Sequence, residues 1–523
     1  MDRLERACHQ LGTCDNPAHV RTIYRASRVH TLSYPHTGEW VLIDDRHVQR
    51  VGSGEPPDAD RVVELPGATI LPGFIDTHVH LTRTGSALAN RDVEAATSAQ
   101  ELLVLARERA DEGEGPVVLL GFDESRWKDR ALPGLAELDA VTSRPLMIHR
   151  ADGHMALANS AALDAAGIRS DPEGVERDAT GAPTGAVTRD AVERLGRWAF
   201  SSIDDNEIQE LQLRAAALGA SNGVTAAHEM SMPHWFGLRD LQVFLGHRDR
   251  LPMDVVPVVA TMDIPQIMDL GMSAIGGDLP LDGSIGARTA AVTTPYADSP
   301  ADGVTYHTDD ELEAFFHAGH TAGLQVGVHA IGDRAIDQAL AAWERVYAAL
   351  DSRERRHFRA RRHRVEHFEM ASASHVERAA MLGLAVSVQP TFDRYWGQPG
   401  GLYDTGLGWE RAAPMNPFRS MIDRGIEVGA GSDTPITPFD PMLSIASCEA
   451  HHDAAQRLSR LEAIRLHTSG GARVGHQEDK KGALGPGMHA DMVAYDTDPM
   501  TADHVHGLRP ILTVSLGREV FAR

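Results

Sequence analysis

At 523 residues the chain has room for more than one domain, and a (β/α)8 barrel alone takes roughly 250 residues or more. Its hydrophobic fraction of 42% supports a large core, mostly aliphatic because aromatic residues make up only 5%. A net charge of −24 argues against nucleic acid as a partner, since that binding rests on basic patches. The largest basic run, 353–364, reads as a solvated helix end.

No apolar run reaches the ~18 residues that span a membrane, and the opening MDRLERACHQLG has no signal-like stretch, so a cytoplasmic protein is expected. Cys8, Cys14 and Cys448 are too few for a disulfide framework and read as ordinary thiols of a reducing compartment. The only lysines are Lys128, Lys480 and Lys481. With 27 histidines in the chain, only patterned ones carry weight.

In chain order, the first elements are short strands at 20–26, 39–43, 48–52 and 62–65, with a turn at Pro66-Gly67. Apolar runs at 68–71, 117–120 and 146–149 continue the series, followed by 223–227, 255–259, 325–328, 364–366, 385–388 and 427–430. Helical patterns such as 335–350 lie between some of them, which implies a parallel sheet. Several runs end in a polar residue, as suits the C-terminal face of a barrel. The far end returns to strands at 491–495 and 511–515. The expected architecture is a TIM-type (β/α)8 barrel over 71–477, with an inserted lid-like segment around 85–200. A small β-sandwich is assembled from 1–70 plus 478–523.

Chemistry concentrates first at Leu71-Pro72-Gly73-Phe74-Ile75-Asp76-Thr77-His78-Val79-His80. A strand ending in His-x-His presents both imidazoles on one face, because side chains alternate with period two. Two such histidines can chelate one divalent ion, and imidazole suits Zn, Fe, Ni or Cu.

The string from Pro72 to His80 resembles the opening metal motif of the amidohydrolase superfamily, and the likeness continues in order along the chain. Gly121 to Trp127, Asp152 to Ser160, Asp282 to Ala290, Val328 to Asp333, Arg364 to His367 and Gly431 to Pro435 resemble segments of the branch that includes N-substituted formamide deformylases. The resemblance implies a barrel-mouth metal site with His78, His80, His329 and His367 as ligands, and Asp433 as both ligand and catalytic acid–base. A bound divalent ion, zinc by expectation and one or two in number, lowers the pKa of its water from ~15.7 toward ~7. A carboxylate beside that water can take its proton and return it to the leaving nitrogen.

The chain departs from the branch at one position. Many members carry a lysine before the Asp-Gly-Ser segment, which bridges two metals when carboxylated; here Asp278 stands there, and no lysine replaces it by motif. Asp278 can bind metal itself or orient a ligand histidine. His154 is a candidate substrate contact or a polar loop residue. Arg288 can receive a substrate carboxylate or carbonyl on its planar fork, or pin a loop. His228 and Glu229 end another strand and face the same mouth without an assigned role.

The expected function is hydrolysis of a non-peptide C–N amide bond in a small-molecule N-acyl or N-formyl amine by metal-activated water. Hydrolytic deamination or ester and lactone hydrolysis would use the same ligands, and a non-catalytic regulatory relative would be expected to lack some of them. Neither membrane nor nucleic acid is expected as a partner, and a homodimer is the default for assembly.

Overall fold

The computed structural model describes residues 20–523 apart from 90–92, 94, 113–114, 152, 154, 172 and 202. Cys8, Cys14, Asp152 and His154 therefore lie outside the described residues. The described residues open with strands β1 (Arg21–His30), β2 (Thr37–Asp44), β3 (His47–Gly52) and β4 (Arg61–Pro72). The turn expected at Pro66-Gly67 lies inside β4. Gly67 takes φ +80, and the register against β1 slips between Ala26 and Arg28. This bulge lets one long strand run on through 68–71, so that run belongs to the terminal sheet and not to the barrel.

After β5 (Phe74–Val79) the chain leaves the barrel for an insertion. Its strands β6 (Val117–Phe122), β7 (Leu146–Arg150), β8 (Met155–Ala158), β9 (Val175–Arg177) and β10 (Pro183–Thr188) form one sheet in the order β6-β7-β8-β10-β9. The runs at 117–120 and 146–149 are thus strands of the insertion and not of the barrel. One face of this sheet covers a satellite core with Leu102, Phe122 and Trp127; residues of the other, including Met147, Ala156 and Val187, join the main core.

Strands β11 (Val224–Ser231), β12 (Asp254–Val259), β13 (Ala274–Ile275), β14 (Gln325–Ala330), β15 (Arg364–His367), β16 (Ala385–Val388) and β17 (Glu427–Ala430) complete the barrel with β5. The eight strands pair in parallel in the order β17-β16-β15-β14-β13-β12-β11-β5. The seam between β17 and β5 is closed just past the strand ends. Asp433 N–H donates to the His78 carbonyl at 2.8 Å, and His80 N–H donates to the Thr434 carbonyl at 3.2 Å. Asp76 ties the same seam by accepting the backbone N–H groups of His78 and Ser432 at 3.1 and 3.0 Å.

Strands β18 (Met492–Tyr495), β19 (Leu512–Ser515) and β20 (Arg518–Ala522) return to β4, giving a seven-stranded sheet in the order β20-β19-β18-β4-β1-β2-β3. The sheet folds over on itself. His47 at the start of β3 bridges His489, and Val48 N–H donates to the Met488 carbonyl at 2.8 Å. Tyr24, Val41 and Ile43 from one half and Met492, Leu512 and Val514 from the other share the enclosed core. No helix among the described residues is long and apolar enough to cross a membrane.

β13 is the shortest barrel strand and has no apolar run to announce it. It ends in Gly276 and Gly277, both with positive φ (+85 and +58). A Cβ on Gly276 would sit 2.1 Å from the Gly327 carbonyl oxygen of neighbouring β14. Gly276→Ala is expected to cost about 1–3 kcal/mol from the left-handed backbone alone, read as a lowered thermal unfolding midpoint. A midpoint equal to that of the wild type would mean that the close approach at this turn is not needed.

Candidate metal centre

The inward face of β5 is polar because Asp76 and His78, continued by His80 just past the strand, alternate onto it while Ile75 packs outward against Ala472. All three polar residues are buried. His78 donates its Nδ1–H to Glu366 Oε2 at 2.9 Å, and His80 donates its Nδ1–H to the Met230 carbonyl at 3.0 Å. His367, at the end of β15, has Nδ1 2.8 Å from Gln389 Oε1. Each of these contacts places the ring proton on Nδ1 and turns the lone pair of Nε2 inward. Among the described residues, His78 Nε2 and His367 Nε2 are buried without a hydrogen-bond partner.

His329, on β14, is oriented the other way. Its Nε2 lies 3.4 Å from the Gly283 carbonyl and 3.7 Å from Asp282, so Nδ1 faces the centre, 3.0 Å from Asp278 Oδ1. Asp278 lies among all four imidazoles. Its carboxylate is 3.8 Å from His78 Nε2, 3.6 Å from His80 Nε2 and 3.5 Å from His367 Nε2. Asp433 Oδ1 is 3.1 Å from His80 Nε2 and 3.5 Å from His78 Nε2. His367 and Asp433 hold φ of +70 and +54, a region that non-glycine residues seldom occupy.

Three donor trios with metal-ligand spacing result: His78, His80 and Asp278; Asp278, His329 and His367; and His78, His367 and Asp433. Asp278 belongs to two of them. The inward lone pairs and buried carboxylates fit a divalent cation held by mixed nitrogen and oxygen donors. Burial opposes ionisation of Asp278, but the imidazoles around it, His78 first and then His329 and His367, outweigh it and hold its pKa well below the usual range. Asp433 is lowered in the same way, burial being overcome by His78 and His80.

Around these residues lies a layer to which the sequence assigned no role. Burial would raise Glu366, but the Arg364 guanidinium and His78 hold it down to about 2. Arg364 NH2 is 2.9 Å from Glu366 Oε2 and 2.9 Å from the Thr77 carbonyl, and NH1 is 3.3 Å from His228 Nδ1. Burial, then Arg364, pushes His228 down to about 3, so it is a neutral acceptor for Arg364. Glu229 accepts the Leu81 N–H at 2.7 Å; burial and repulsion from Asp240 push it up to about 8. Arg364 and Glu366 stand two residues apart on one strand, which is the signal that would have placed them on the same inner face.

Of the two candidate substrate contacts, His154 lies outside the described residues. Arg288 lines the outer cleft, but its guanidinium is committed. Nε lies 2.8 Å from Asp298 Oδ1, NH2 2.5 Å from Asp298 Oδ2, and NH1 2.5 Å from the Ile285 carbonyl. It also lies over the Tyr296 ring, so in this structure it pins its own loop. Beside His329, His367 and Asp433 is an inner chamber walled by Ile285, Ile331, Phe392, Trp396, Leu402 and Tyr403.

A profile described as "Amidohydrolase family" matches residues 61–521. The putative amidohydrolase YtcJ of Bacillus subtilis (strain 168) is 28% identical over 535 residues, covering 93% of this chain and 96% of its own. The N-substituted formamide deformylase of Arthrobacter pascens is 26% identical over 524 residues, covering 88% and 90%. The crystal structure of an uncharacterised metal-dependent hydrolase from Pyrococcus furiosus is similar with a TM-score of 0.72 and 26% identity, over 92% of this chain and 100% of that one. The chain belongs to the amidohydrolase family.

Proposed function

We propose that this protein hydrolyses the C–N bond of a small non-peptide amide, an N-acyl or N-formyl amine, with one or two divalent ions such as zinc held by donors from the set His78, His80, Asp278, His329, His367 and Asp433. The observation that carries the reading is the convergence of inward-facing imidazole lone pairs and two ionised carboxylates on one buried point. The likeness to a relative named as a deformylase favours the amide bond over an ester or lactone. When bound, the ion supplies a Lewis acid and makes water acidic enough to ionise near neutral pH.

The chain's own residues supply the rest. Asp433, kept ionised by its imidazole neighbours, takes the proton of the attacking water on its carboxylate and delivers it to the departing nitrogen. Glu366 and Met230 lock the tautomers of His78 and His80, and Gln389 locks that of His367. Arg364 keeps Glu366 charged in the barrel interior. The aromatic and aliphatic chamber holds the substrate's apolar part and excludes bulk water from the reacting bond.

Purified protein is expected to contain divalent metal by elemental analysis and to turn over members of a panel of N-formyl and N-acetyl amines. Absence of both, with and without added zinc, would defeat the reading. Asp433→Asn should fold, keep most of its metal and lose about 10²–10⁴-fold in kcat; near wild-type turnover would remove Asp433 from the proton path. Asp278→Ala should lower the bound metal sharply, because one carboxylate serves two donor trios, and unchanged metal content would exclude it as a ligand. Glu366→Gln should weaken metal binding by about 10–100-fold in a chelator competition while the fold persists.

A further inference from the structure

The cleft over the candidate metal centre has the opposite charge balance to the chain. The whole sequence carries −24, yet among the described residues seven arginines line this cleft of about 890 Å³ against three acidic residues, Asp123, Glu124 and Asp440. The acids are already matched. Arg150 lies 2.8 Å from Glu124 and 3.8 Å from Asp123, and Arg509 lies 3.0 Å from Asp440. Arg288 is committed to Asp298.

The surplus positive charge includes Arg130 and Arg394, both exposed at the rim. Among the described residues neither makes a hydrogen bond or an ion pair within 4.0 Å, although Arg130 adds, after Arg288, to the positive charge that lowers the pKa of Asp298. Arg394 sits on the helix Pro390–Trp396 that follows β16, between Phe392 and Trp396 of the inner chamber. Arg150, Trp396, Leu402 and Ile436 line both the cleft and the chamber, so the two spaces are continuous.

We propose that the substrate carries an anionic group, a carboxylate, and that Arg130 and Arg394 receive it while the amide reaches the imidazoles. This rests on the amide-hydrolase reading above and narrows it to anionic amides. A planar guanidinium matches a carboxylate with two parallel N–H donors. A cleft of one sign with low-dielectric walls also concentrates ligands of the other sign, an effect that salt screens over a Debye length of ~10 Å at 0.1 M.

The test uses a matched pair, N-acetylphenylalanine and N-acetylphenethylamine, which differ only by the carboxylate, together with their N-formyl counterparts. With the metal-loaded full chain, kcat/KM should favour the carboxylate member by about tenfold or more, the scale of one charge-assisted contact, and added NaCl should shrink the preference. The double variant Arg130→Ala/Arg394→Ala should raise KM for the carboxylate member, keep its kcat and leave the neutral member unchanged. Equal or better use of the neutral amides, or an unchanged KM ratio in the double variant, would overturn the proposal and leave the hydrolase reading standing. Titration calorimetry of the same pairs with metal-loaded Asp433→Asn protein reads binding without turnover. If no amide is hydrolysed by the wild type, the hydrolase reading fails, and tighter binding of the carboxylate member, lost in the double variant, still decides the anion site. Equal affinities there would overturn it.

Discussion

An imidazole has two ring nitrogens, and the partner of one decides what the other can do. At this barrel mouth a carboxylate, a backbone carbonyl and a side-chain amide each take one Nδ1–H, so three Nε2 lone pairs turn toward a shared centre. The fourth imidazole reaches the same centre through Nδ1, because the Gly283 carbonyl lies on its other side. The partners come from β11, β15, the end of β16 and the segment after β13, so the site exists only when the barrel is closed. The seam between β5 and the residues after β17 completes the enclosure, with Asp76 accepting from both sides of it.

Burying this much polarity is tolerable only if each charge meets its complement. The chain from His228 to Arg364 to Glu366 to His78 illustrates how the condition is met. The guanidinium donates to a carboxylate, to a neutral imidazole and to the Thr77 carbonyl, so its positive charge is shared among three acceptors. Glu366 then stays ionised without solvent and remains available to orient His78. A neutral residue in place of Arg364 would leave a buried carboxylate uncompensated, and the orientation of the ligand histidine would be the first thing to relax.

Much of this was legible in the sequence because it follows from periodicity and local motifs. His78 and His80 share a face by alternation, and His329, His367 and Asp433 each close or follow a short apolar run that is a barrel strand. What was not legible comes from contacts between segments far apart in the chain. Nothing local says that Met230 offers a carbonyl to His80, 150 residues away, or that Gln389 turns His367. The apolar runs at 117–120 and 146–149 carry the same pattern as barrel strands, and only pairing with each other and with β8 assigns them to the inserted sheet. A two-residue strand such as β13 has too little pattern to read at all.

β13 is nevertheless the element on which the departure from the family pattern turns. A lysine can extend from its backbone to the centre of such a site; an aspartate has one methylene and must be carried there by the main chain. The Gly276-Gly277 turn does this. With no side chain at Gly276, the backbone runs close enough to β14 that a Cβ would meet the Gly327 carbonyl oxygen at 2.1 Å. With no side chain at Gly277, it passes over Val258 and Met230, where a Cβ would come within 2.7 and 2.9 Å. The chain therefore enters the barrel mouth deeply enough for the short carboxylate of Asp278 to lie 3.0–3.8 Å from all four histidines. On this reading the side chain and the two glycines form one unit. Replacing Asp278 by a lysine alone would push a long side chain into a space that the inward-bent backbone has already reduced, and restoring the family's usual residue would also require straightening the turn.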